Sequence, residues 1–250
     1  MTSDDQKYYT TRRLTLLAEF SKTIMGIEDL FLERYDSETT QELMKRAQDE
    51  YRNLIPQLPY IGGKQPFTQY IISTAWFLSM YRVLKEYGEG VEEVGKLAFE
   101  ASDRYLQIYP GFTRHFLGFI TFSPLYLRTL KKRAKESQER KYAGDFVYDF
   151  VDGDRREFDY GVDYIECGTC KFLTAQGAQE LAPYICPADI LYSEILGWGL
   201  SRTETLAEGY DRCDFRFKKG GETSVAVPEN IQDFIESKRK GTTRRAAFLQ

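Results

Sequence analysis

All four cysteines of this 250-residue chain stand between Tyr164 and Phe217. Thiols gathered in one stretch can hold a metal, attack an electrophile or couple as a redox pair. Cys186 precedes Pro187, and Asp189 follows three residues after Cys186. Proline suits the first helical position, so this order predicts a helix with Cys186 at its N-cap and Gly197 at its end. A thiol there faces free N–H groups, which favour the thiolate and make it a nucleophile at neutral pH. Asp189, at capping-box spacing, either ties down the helix start or handles a proton. The structural alternative for Cys186 is a small apolar cap on a buried helix.

Cys167 and Cys170 form a Cys-x-x-Cys pair, a spacing that allows two thiolates on one zinc or a redox couple. Cys186 and Cys213 stand singly, so a four-thiolate zinc site requires the chain to fold back on itself. The expectation is no cofactor and no metal, with zinc held by the cysteines as the alternative. Arg202 and Glu204 alternate onto one side of a predicted strand, between Leu200 and Leu206. A buried charge without a partner costs several kcal/mol, so both are expected to be paired or to face a ligand. Arg202 would then suit a substrate carboxylate; a solvated strand face is the other reading. His115, the only histidine, sits in an aromatic stretch and reads as a packed residue rather than a catalyst. A Ser-His-Asp triad or a His-rich metal site is therefore not expected, and neither a P-loop nor a GxGxxG fingerprint occurs.

The elements that must position these residues change character near residue 141. Before it the chain reads as helical. Arg12 to Met25 carries Leu14, Leu17, Ala18 and Ile24 along a helix face. Asp36 or Ser37 caps a run from Glu38 to Ile55, which Pro56 and Pro59 break. PQLPYIGGKQPF is a loop, read as a connector with a pocket-lining role as the alternative. Tyr70 to Gly88 is apolar on most of its circumference and is expected to be buried. Val91 to Tyr105 is amphipathic, and the stretch after Pro110 passes from apolar to basic, ending as a solvated helix whose cations suit its C-terminus.

Beyond Tyr142 the period becomes two. Phe146 to Val151 and Phe158 to Tyr164 flank Asp152-Gly153-Asp154, which predicts a β-hairpin. Lys171 to Gln176 is a short helix closed by Gly177, and Leu200 to Ala207 and Arg212 to Lys218 are strands joined by a turn around Gly209. Cys213, Phe215 and Phe217 share one strand face, the buried one. A helix from Pro228 to Lys240 closes the chain with a basic end. The organisation is a helical region 1–141, an α+β region 142–227 carrying the chemistry, and a C-terminal helix and tail 228–250. The fold class is α+β, with the N-terminal helical half packed on a C-terminal half that holds a small antiparallel sheet.

The bulk composition narrows the function. Hydrophobic residues at 42% and charged residues at 29% are ordinary for a globular chain, while aromatics at 15% are high and mostly Tyr and Phe. Such rings fill cores and also line small-molecule pockets. A net charge of −4 argues against a nucleic-acid partner, which selects a basic surface. No apolar run approaches the roughly 18 residues of a membrane span, and MTSDDQKYYTTRRL has no signal-peptide core. A cytoplasmic protein with reduced thiols is expected, acting on a small molecule, with no membrane partner and with homo-oligomerisation left open.

ECGTCKFLTAQGAQELAPYICPAD, followed by RTETLAEGYDRCDFRFKK, resembles the L-2-amino-thiazoline-4-carboxylic acid hydrolase family. The resemblance rests on Cys167 and Cys170, on Cys186 and Asp189, and on Arg202, Thr205, Leu206, Ala207, Gly209, Cys213 and Asp214. It extends to LPYIGGKQPF and KEYGEGVEEVGKL upstream. It departs at Tyr210, where the family pattern has a second glycine beside Cys213, so the ring accepted is expected to differ if that turn approaches substrate. The ending is also similar to vinyl-reductase-type ligand-binding domains. The resemblance implies hydrolysis of a cyclic amidine-like C–N bond in a thiazoline carboxylate. Cys186 would attack, Asp189 or Glu204 would shuttle protons with Cys213 nearby, and Arg202, Thr205, Cys167 and Cys170 would contact substrate. The alternatives are a vinyl-reductase-like small-molecule or zinc-binding module without catalysis, or a same-fold enzyme of specialised metabolism acting on another heterocycle.

Overall fold

The computed structural model describes residues 3–107 and 110–247, with side chains described for 7–107, 110–114 and 116–239. The helical half runs α1 (Ser3–Thr10), α2 (Arg13–Met25), α3 (Glu28–Leu32), α4 (Ser37–Leu54), α5 (Thr68–Glu86), α6 (Val91–Gln107), α7 (Gly111–Ile120) and α8 (Pro124–Ser137). The second half runs β1 (Val147–Asp152), β2 (Tyr160–Glu166), α9 (Gly168–Ala175), α10 (Ala182–Ile185), α11 (Ala188–Leu196), β3 (Leu200–Arg202), β4 (Cys213–Phe217), β5 (Ser224–Val225) and α12 (Glu229–Ala247). The architecture is α+β. The side chain of His115 lies outside the described residues.

Local chemistry sets the helices. The Asp36 carboxylate accepts the Thr39 N–H at 2.8 Å and starts α4. From there Leu43, Ala47, Tyr51 and Leu54 return to one face at helical spacing and are buried. In α2 the buried stripe is Leu16, Phe20 and Ile24, not the line through Leu14, which is 83% exposed. The interval of four residues selects one face, and Leu14 lies off it. α5 is buried on most of its circumference, as its composition requires. It belongs to a core that runs from Tyr9 through α4 and α6 to Phe172 and Leu173 of α9, so helices of both halves share one apolar interior.

The sheet order is β1-β2-β4-β3-β5. β1 and β2 form the expected hairpin, with Phe150 opposite Val162. All pairings are antiparallel except β3 with β5, so the sheet is mixed rather than antiparallel. The strand expected over 200–207 stops at Arg202. Its continuation is captured by Asp214, whose carboxylate accepts the N–H groups of Thr203 at 2.8 Å and Glu204 at 2.7 Å. Thr205 then caps a single 3₁₀ turn, accepting the Glu208 N–H at 3.2 Å. Gly209 follows at φ 90°, a backbone state that side-chain-bearing residues avoid.

Candidate active site

Strand alternation places Tyr148, Tyr164 and Cys213 in one row across three strands, since Tyr164 stands opposite both Tyr148 and Cys213 in register. Helices α5, α8 and α11 stand over this face and leave a cavity of about 1160 Å³. Cys167, Cys186, Asp189, Arg202 and Cys213 border it together with an aromatic wall. Three of the four thiols thus reach one space. Cys170 does not: it packs against the helical core.

The thiol at a helix start is Cys167. β2 ends at Glu166, whose carboxylate is held by Arg140 at 2.6 Å and Lys171 at 2.5 Å. The chain then turns through Cys167, in extended conformation, directly into α9. The turn is tight. A Cβ on Gly168 would stand 2.4 Å from the Gly144 carbonyl oxygen. A hydrogen bond from the Cys170 thiol holds the Cys167 thiol below the usual range, outweighing burial, and the N–H groups of Cys170 and Thr169 act the same way. Cys170 is driven far up, first by that same hydrogen bond and then by burial. Within the pair Cys167 is the more acidic thiol.

Cys186 is not an N-cap. It adopts helical torsions at the end of α10, and its N–H already bonds to the Ala182 carbonyl at 3.3 Å. Pro187 is helical as well, so two helical pieces meet there with no start of free N–H groups aimed at the thiol. Burial raises the Cys186 pKa well above the thiol range, with Arg202 opposing weakly. The argument for a thiolate at Cys186 fails on this geometry. Cys213 is pushed up to about 11 by burial, against the Leu206 N–H that it accepts at 3.2 Å.

Arg202 is 2% exposed and donates to the Asp189 carboxylate and, at 3.3 Å, to the Ala226 carbonyl. Its Nε has no partner and is sealed from the cavity. The guanidinium is thus committed to Asp189, at the edge of the cavity that it helps to line. Asp189 keeps 28% of its side-chain surface and borders the cavity. Burial raises its pKa, and Arg202 limits the rise. Glu204 lies outside the cavity lining and pairs with Arg212 at 3.3 Å. Thr205 is buried in its own turn, with its hydroxyl on Glu208 at 2.9 Å. The early end of β3 accounts for both, because side-chain alternation stops where the ladder stops. Tyr210 is 50% exposed and does not border the cavity, so the departure from the glycine pattern leaves the lining unchanged.

The four thiols do not fit a zinc ion as arranged. Among the described residues no group of three or more His, Cys, Asp or Glu side chains is placed to share a metal. The loop over 56–67 is not a plain connector: Ile61, Lys64, Gln65 and Phe67 line the cavity. Tyr70, Tyr126, Tyr148 and Tyr164 also border it. The hairpin alternation carries the signal for Tyr148 and Tyr164; nothing local marks Tyr70 or Tyr126.

Fold and site together define an α+β protein with an aromatic-walled, thiol-bearing cavity. The sequence model of the L-2-amino-thiazoline-4-carboxylic acid hydrolase family matches residues 69–217, about three fifths of the chain. The chain belongs to that family. The match takes in α5, the hairpin, every cysteine and both members of the Asp189–Arg202 pair, and it begins after the LPYIGGKQPF loop. No curated protein and no solved structure matches the chain. No described helix is long and apolar enough to cross a membrane.

Proposed function

We propose that the chain hydrolyses the ring C–N bond of a cyclic amidine of the thiazoline-carboxylate type, with Cys167 as nucleophile. The observation that carries this reading is the Cys167 thiol, placed at the N-cap of α9, held below the ordinary thiol range by Cys170, and bordering the cavity that Asp189 also borders. The thiolate attacks the amidine carbon between ring sulfur and ring nitrogen. The carbon–nitrogen ring bond breaks as the ring nitrogen takes two protons, one from the exocyclic amine, which becomes an imine, and one from outside. Asp189, which borders the cavity and pairs with Arg202, relays that outside proton and takes it back from the water of the next step. Water then adds to the same carbon, the Cys167 sulfur departs as thiolate, and the product is an S-carbamoyl cysteine. Arg202 acts by fixing Asp189. Cys186 stays a neutral thiol in the wall.

The test is turnover of 2-amino-thiazoline-4-carboxylate, followed by mass detection of S-carbamoyl cysteine. Cys167→Ala should abolish turnover and the enzyme-bound adduct, while Cys186→Ala keeps both. Native turnover by Cys167→Ala rejects the nucleophile. Binding of the ring without product by the wild-type chain rejects the hydrolase reading.

A further inference from the structure

The cavity is out of proportion to the family's namesake ring. Sites for drug-sized ligands span about 300–1,000 Å³, and this one is about 1160 Å³. A single five-membered ring with a carboxylate fills only a small part of it.

The surplus space has a definite chemistry. Tyr70 from α5, Tyr126 from α8, Tyr148 from β1 and Tyr164 from β2 border it. Tyr164 lies within electrostatic reach of the other three and of Asp189, so the four rings form one cluster beside the proposed proton donor. None of the four hydroxyls hydrogen-bonds to a described protein group, although other tyrosines do, as Tyr35 with Glu89 at 2.5 Å and Tyr81 with Glu180 at 2.6 Å. Unlike the Tyr51 hydroxyl, which is sealed without a partner, these four open onto the cavity and are available to a ligand oxygen. Tyr70 keeps 45% of its surface despite being surrounded by protein, which is the signature of a cavity wall. Between the hydroxyls the wall is aromatic and apolar, with rings presented both face-on and edge-on. Phe67 stacks on Phe146 at 4.5 Å, and Phe215 stands 5.3 Å from Tyr164.

Resting on the hydrolase reading above, we infer that the ring opened at Cys167 carries a polycyclic aromatic substituent bearing hydroxyl or carbonyl groups, seated in this tyrosine chamber. The aromatic body fills the volume and stacks on the wall, its oxygens satisfy the four phenols, and the amidine carbon is left at the thiol pole.

Three probes test this by titration calorimetry and by turnover on the full chain: 2-amino-thiazoline-4-carboxylate, its naphthylamino analogue and its hydroxynaphthylamino analogue. The two extended probes should bind at least 30-fold more tightly than the amino ring. Tyr70→Phe combined with Tyr164→Phe should weaken the hydroxynaphthyl probe by roughly 3- to 10-fold per hydroxyl engaged, while the plain naphthyl probe is little changed. Equal or tighter binding of the amino ring overturns the inference, as does an equal effect of the tyrosine changes on both extended probes. If the extended probes bind tightly but are never opened, the chamber stands and the hydrolase reading falls. If the amino ring is opened and the extended probes are excluded, the hydrolase reading stands and the chamber falls.

Discussion

Arg202, at the end of the short strand β3, donates to Asp189 in the first turn of α11, and this pair ties the sheet to the helix that carries the proposed proton donor. Both border the cavity, but Arg202 is 2% exposed while Asp189 keeps 28% of its side-chain surface.

Removing the carboxylate leaves a buried cation unpaired. Asp189→Asn is expected to lower stability by about 3 kcal/mol, a fall in Tm of roughly 6 to 12 °C for a chain of this size. Adding Arg202→Met should recover part of the loss, because the stranded charge is gone. Thermal denaturation of the two single variants and the double variant measures the coupling.

The thiols differ in the pH at which they become reactive. A thiol alkylates as thiolate, so a lowered pKa moves its reactivity to lower pH and a raised one to higher pH. Cys167 should be alkylated by iodoacetamide at lower pH than an ordinary thiol, with Cys213 reacting only as pH approaches about 11. Cys170→Ala removes the donor that holds Cys167 down and should move its profile upward. Peptide mapping of the alkylated chain across pH reads each site. Reaction of Cys186 ahead of Cys167 would contradict this order.

Gly168 sets the approach of Cys167 to the cavity. A Cβ there meets the Gly144 carbonyl oxygen at 2.4 Å and the Phe146 ring at 2.6 Å, and the carbonyl cannot swing away as a side-chain end could. Gly168→Ala is expected to cost about 1–3 kcal/mol and to slow Cys167 alkylation at fixed pH. Gly177, at φ 65° with nothing within 4 Å of a Cβ, gives a control in which only the strained torsion acts.

Glu204 and Tyr210 lie outside the lining. Glu204→Gln breaks only a half-exposed pair with Arg212 and should change stability by less than about 1 kcal/mol, with turnover unaltered. Tyr210→Gly should leave the preference among substrate rings as it is. A change in kcat/KM by either substitution would place that residue back at the site.

Asp214 carries a stability term that acid removes. Burial pushes its pKa up, but the Thr203 hydroxyl and the N–H groups of Glu204 and Thr203 outweigh it and leave the pKa depressed. A carboxylate depressed in the folded state contributes stability above its unfolded value and loses it as pH falls through the folded value. Asp214→Asn should therefore be less stable than wild type at neutral pH, with the gap narrowing below the ordinary aspartate range. Chemical denaturation at several pH values checks the sign.

Local signals carried much of this protein. Asp36 at a helix start, the stripe in α4 and the alternation across Asp152-Gly153-Asp154 each follow from interactions within a few residues, and the family motifs lie in contiguous stretches. The errors occur where a distant partner overrides the local pattern. Asp214 captures the backbone after Arg202, so the strand ends and Glu204 and Thr205 turn away from the site. Cys186 has a sequence suited to a helix start, but α10 is already helical before it and spends its N–H.

The amino-acid sequence by itself determined the α+β class, the hairpin, the family and the segment in which the thiols stand, because propensity, period and motif are properties of neighbours along the chain. Tertiary structure alone decided which thiols and which carboxylate border the cavity, and it gathered Tyr70 and Tyr126 with Tyr148 and Tyr164. Thiol acidity, burial and unpaired hydroxyls depend on what packs alongside from elsewhere in the chain.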